Sequence, residues 1–182
     1  FSMTISGGTI NAYSSSGDGF DSNGDLTISG GTVTVWTANT ADNQPLDADG
    51  TLTVSGGTVL AAGGSSGMGM SLTANQPCVV FSGATKLPDE TAQKEQPSGE
   101  ERPCGKELPS GEDQSERRGF PGGGASLLTQ GSTFTVADSD GITLYTGEAV
   151  YNASFVFFSS ADLSAEESCT LSSGETKTDS AA

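Results

Sequence analysis

The stretch LTISGGTVTVW, residues 26–36, decides the fold, because the chain spells it three times. MTISGGTINAY (3–13) precedes it by 23 residues and LTVSGGTVLAA (52–62) follows it by 26. In each copy apolar residues alternate with Thr or Ser, break at Ser-Gly-Gly-Thr, and alternate again. Alternation with period two is the pattern of a half-buried strand, and the paired glycines mark a tight corner. One such unit cannot bury its apolar face alone, so the units must stack on one another.

Stacked in register, the copies form four inward columns: Met3/Leu26/Leu52, Ile5/Ile28/Val54, Ile10/Val33/Val59 and Ala12/Val35/Ala61. Thr4/Thr27/Thr53 and Ser6/Ser29/Ser55 alternate with them and face water. A turn of chain every 23–26 residues, carrying two or three short strands, is the geometry of a parallel β-helix. The repeats predict an all-β chain with about three and a half rungs over residues 1–85. In the degenerate last rung Leu72 follows Phe20 and Leu46, and Cys78–Gly83 maps onto Leu52–Gly57. Its outward positions, Val79 and Phe81, are apolar, so the last segment of the chain is expected to cover them.

Residues 86–124 are proline- and charge-rich, which predicts a disordered insertion. From 125 the alternation returns without the Ser-Gly-Gly corner. Residues 132–137 and 142–145 flank Asp138-Ser139-Asp140-Gly141, a hairpin turn, and 154–158 and 169–171 read as two more strands. A small antiparallel cap over 125–174 is expected, with a flexible tail at 175–182.

Composition narrows the function. The 182 residues include 23 acids and 7 bases, a net charge of −16, which argues against nucleic acid as a partner. Only 33% of residues are hydrophobic, and no apolar run is long enough to insert into a membrane. The absence of His excludes Ser-His-Asp and Cys-His catalysis and His-ligated metals within this chain. Three cysteines, Cys78, Cys104 and Cys169, have no metal spacing; one disulfide or none is open. The sequence opens at Phe1 inside a repeat, so the rest of a parent chain is expected N-terminal to it.

The corners before the repeats are acidic. In the strand register Asp21 lies over Asp47 and Asn23 over Asp49, with Asp18 at the rim. Adjacent rungs are ~4.8 Å apart. Two carboxylates so placed repel by about 1 kcal/mol in water and about 4 where the local dielectric is near 20. Residues 1–85 contain no Lys or Arg to offset this. A divalent cation would, and an all-oxygen donor set of Asp18, Asp21, Asn23, Asp47 and Asp49 favours Ca²⁺. Ordinary solvated Asx turns are the alternative. An EF-hand is excluded, since the twelfth position from Asp21 or Asp47 is Thr32 or Thr58.

Tyr13 and Trp36 occupy the same repeat position and should be neighbours on the outside. Such a pair either stacks sugar rings or simply covers the sheet. Catalysis has little support. Lyase chemistry on a uronate wants Arg or Lys beside Ca²⁺, which the repeats lack, and hydrolysis wants one carboxyl in an apolar pocket.

The phrases SGDGFDSNGDLTISGGTV (16–33) and LDADGTLTVSGGTV (46–59) resemble a family of secreted bacterial carbohydrate-binding β-helix proteins with a pectate-lyase-like fold. The likeness continues through AGGSSGM (62–68), SLLTQGSTFTV (126–136) and FVFFSS (155–160). It implies a right-handed parallel β-helix, extracellular or at the cell surface, with Ca²⁺ in its acidic corners. Asp18, Asp21 and Asn23 match one acidic motif and Asp47 and Asp49 the next, although Asn43-Gln44-Pro45-Leu46 departs from the pattern. The implied function is non-catalytic binding of acidic or plant cell-wall polysaccharide, polygalacturonate or a cellulose-like chain, through Ca²⁺ and Tyr13/Trp36. The competing expectations are a structural or adhesin stalk that calcium only stiffens, and a degenerate polysaccharide lyase.

Overall fold

The repeats become strands in the expected places. In the computed structural model, which describes residues 1–40, 43–64, 72–83, 126–164, 168–174 and 176–181, each copy is one long bent strand. These are β1 (Ser2–Ser14), β3 (Asp25–Thr37) and β5 (Leu52–Gly63), with short β2 (Phe20–Ser22) and β4 (Leu46–Ala48) between them. The long strands pair in parallel, Met3↔Leu26↔Leu52, Ile5↔Ile28↔Val54, Ile10↔Val33↔Val59 and Ala12↔Val35↔Ala61. β2 and β4 pair in parallel beside them. All four inward columns therefore hold, and Ile5, Ile28, Val33, Val35, Val54 and Val59 form one buried core.

The Ser-Gly-Gly corner is a register shift within each long strand rather than a break between two strands. The second glycine of each copy, Gly8, Gly31 and Gly57, has φ of 87°, 93° and 86°, a region that side-chain-bearing residues rarely adopt. The bend turns the apolar column without interrupting the backbone ladder.

The fourth rung departs from the expected register. β6 (Leu72–Ala74), and not Cys78–Gly83, pairs with Leu52–Val54. β7 (Cys78–Ser82) instead pairs antiparallel with β10 (Phe155–Ser159), which itself lies antiparallel against Val59–Gly63 of β5. The antiparallel strand fills the edge that a parallel rung would occupy along Val59–Gly63, so beyond β5 the parallel ladder continues only at Leu52–Val54. Val79 and Phe81 are buried by the C-terminal segment, as their apolar character predicts.

The rest of that segment is β8 (Thr133–Ala137), β9 (Thr143–Glu148), β11 (Ser168–Ser173) and β12 (Thr176–Ala181), an antiparallel sheet ordered β12-β11-β8-β9. Asp138 closes the β8–β9 turn by accepting from the N–H groups of Asp140 (3.0 Å) and Ile142 (2.8 Å). The segment expected as a flexible tail forms β12, paired with β11 from Ser168↔Ala181 to Ser173↔Thr176. Alternating Thr176 and Thr178 carry strand propensity that the polar composition concealed. The sheets are not closed, and among the described residues no helix is long and apolar enough to cross a membrane. The insertion expected at 86–124 lies outside the described residues.

Candidate functional site: the acidic corner of the first two rungs

Hydrogen bonds 26 residues apart sew the two acidic corners together. Asn43 Oδ1 accepts from Gly17 N–H (3.1 Å), Asp18 Oδ1 from Gln44 N–H (2.6 Å), and Asp25 Oδ1 from Thr51 N–H (2.8 Å). Backbone bonds continue the seam, from Gly19 N–H to Gln44 O, Phe20 N–H to Pro45 O and Asp49 N–H to Ser22 O. Two of these side chains escaped the sequence reading. Asn43 stands where the acidic motif is interrupted, and its amide joins the rungs. Asp25, at the strand start, does the same on the other side. Their spacing of 26 from Gly17 and Thr51 was the available signal.

Within that frame the carboxylates sort themselves. Asp21 and Asp47 are paired neighbours in the β2–β4 ladder, as the register predicts. Asp21 is exposed and Asp47 half-buried, while Asn23 and Asp49 are exposed. Partial burial pushes the Asp47 carboxyl above the ordinary Asp range, and the charges of Asp18, Asp21 and Asp49 push it further. A hydrogen bond from the Ala48 backbone pulls it back. Asp18, whose Oδ1 accepts from the Gln44 N–H, also takes part in the seam between the corners.

The donor set of the corner is all oxygen and open. Among the described residues no three carboxylates or thiols are grouped as a metal cage. Asp21 and Asp47 stand side by side with oxygens and no base nearby in the ladder, which fits a cation that keeps much of its own water. Asn23 and Asp49 lie one position further along, beyond the paired residues.

The aromatic pair is divided. Tyr13 and Trp36 are ladder neighbours, but Tyr13 is 56% exposed and Trp36 only 1%. Trp36 meets Phe134 edge-on at 5.8 Å, Phe134 stacks on Tyr145 at 5.8 Å, and Tyr145 tilts against Phe158 at 5.8 Å. The expected outward Trp36 is thus a core residue, because the antiparallel sheet packs over it. VLAA, 59–62, carried the warning: a strand apolar at every position is buried on both faces. Cys78 is a half-buried free thiol, so no disulfide joins it to Cys169, and burial raises its pKa.

A family model described as beta helix repeat matches residues 4–22 and 52–71. No curated protein and no solved structure matches this chain. The matched segments contain the first and third Ser-Gly-Gly corners, and the strand register places the 26–36 copy between them. Family match and parallel register together describe a beta-helical protein of all-β fold.

Proposed function

We propose that the chain is a non-catalytic, calcium-stabilised β-helical module that binds acidic polysaccharide outside the cell. The observation that carries this reading is the Asp21↔Asp47 pair, with Asp47 raised by burial and by the charges of Asp18, Asp21 and Asp49. Bound Ca²⁺ would supply charge neutralisation there and an open coordination position for a uronate carboxylate. Asp21 and Asp47 would hold it, with Asn43, Asp18 and Asp25 keeping the two corners in register. Tyr13, on β1, would offer one exposed ring to a sugar face.

The test is retention of the protein on immobilised polygalacturonate in millimolar Ca²⁺ and in EDTA. The reading expects retention in Ca²⁺ only, lost in Asp47→Asn and weakened in Tyr13→Ala. Calcium-independent retention, or none in either buffer, contradicts it. The burial of Trp36 favours a second reading, a structural or adhesin β-helix that calcium only stiffens, since one of the two proposed sugar platforms belongs to the core. That reading expects a calcium-dependent gain in stability with no glycan retention.

A further inference from the structure

The edge of the ladder at β1 holds a glycine that nothing in the structure requires. In the second and third copies the first corner glycine is forced by the rung before it. A Cβ on Gly30 would lie 2.7 Å from the carbonyl oxygen of Ser6, and one on Gly56 would collide with that of Ser29. Gly7 holds the same position in the first copy, yet a Cβ there would meet nothing within 4 Å. Its φ is not among the positive ones, so alanine would fit without backbone strain. Gly8 differs, since its φ of 87° accounts for it on conformational grounds.

The inward columns are also unfinished at this edge. Leu26 and Ile28 are fully buried between two rungs, whereas Met3, Ile10 and Ala12 on β1 are only half-buried. Among the described strands β1 pairs with β3 alone, so one side of its backbone ladder is open along thirteen residues. Such an edge is a template for another strand.

We infer that β1 is a docking surface for a further parallel rung of this same repeat, whose carbonyl at the Ser-Gly-Gly corner seats against Gly7. The ladder continues unchanged in that direction: the occupant's carbonyl meets Gly7 as that of Ser6 meets Gly30. A second copy of the described fold does not supply this parallel rung through its β5. The far side of β5 is taken by β6 along Leu52–Val54 and by antiparallel β10 along Val59–Gly63, which leaves no parallel edge to present. The partner is therefore a β-helix rung of 23–26 residues whose own outgoing edge is free. This inference is independent of the calcium reading and is tested in EDTA.

The probe is a copy of residues 24–49 joined ahead of Phe1, which sets the added corner 26 residues before the first, the spacing of the next two corners. The extended protein should melt several degrees higher than the original, and its β1 amides should exchange more slowly. Gly7→Ala should abolish both gains in the extended protein while leaving the original's melting point equal or slightly higher. Gly30→Ala should lower the melting point of both. No gain on extension, or a gain that survives Gly7→Ala, overturns the inference. If the extended chain does not fold, the same sequence is added as a free peptide at millimolar concentration. It must then slow exchange of β1 amides in the original chain and not in Gly7→Ala, and failure to do so overturns the inference equally.

Discussion

Asp47 shows how a repeat fold can accumulate charge that its strands do not need. Stacking places its carboxylate beside Asp21, and the surrounding acids raise its pKa. The native state holds the Asp47 proton more tightly than the unfolded chain does. Stability from this group is therefore fully present below the ordinary Asp value of about 3.9 and is lost as pH rises through the raised native pKa. In EDTA at neutral pH, Asp47→Asn should melt higher than the original protein, and the difference should vanish as the pH drops below the carboxylate range. Equal melting points at neutral pH would mean that the repulsion is fully screened. Trp36 is the opposite case, a residue whose repeat position suggested exposure and whose packing is complete. Trp36→Ala should cost about 3–5 kcal/mol by chemical denaturation. It cannot report on sugar binding, because it removes a core side chain.

At the scale of the element, the Ser-Gly-Gly corner does two jobs with two glycines. The first lets the neighbouring rung's carbonyl approach, and the second adopts the left-handed conformation that bends the strand. Gly57 carries both demands, since its φ is 86° and a Cβ there would collide with the carbonyl of Gly31. Gly57→Ala should destabilise by more than about 1 kcal/mol, measured by urea unfolding. The turn after β8 makes a milder prediction. Asp138→Ala removes an acceptor for two backbone N–H groups and should cost about 1 kcal/mol. The three strong rungs, their inward columns and this hairpin were legible because each rests on local pattern. The last rung was not. Cys78–Ser82 maps onto its predecessors in the repeat, but its partner, Phe155–Ser159, is far away in sequence, and a repeat match says nothing about which strand lies alongside.

The described fold is organised around two apolar cores that share strands β3, β5 and β10. One lies inside the coil of parallel rungs; the other lies between their outward face and the antiparallel sheet. Neighbouring residues of β10 enter different cores, Phe157 the first and Phe158 the second. The second core was the least legible feature, since the repeat position of Trp36 reads as outward until the antiparallel sheet packs on it. The acidic corner, by contrast, was readable to the residue in its Asp21↔Asp47 pairing, because a repeat fixes register by arithmetic. Its stitching by Asn43, Asp18 and Asp25 left only the 26-residue spacing as a trace, because composition does not mark which side chains bond between rungs.

Thermal unfolding in EDTA and in millimolar Ca²⁺ tests the central claim most directly, that a divalent cation resolves the carboxylate ladder. A ligand at 100 times its dissociation constant stabilises by about 2.7 kcal/mol, which in a chain of this size moves the midpoint by several degrees. The account predicts that rise in the original protein and its loss in both Asp21→Asn and Asp47→Asn. An unchanged midpoint, or a rise that survives both substitutions, would contradict it.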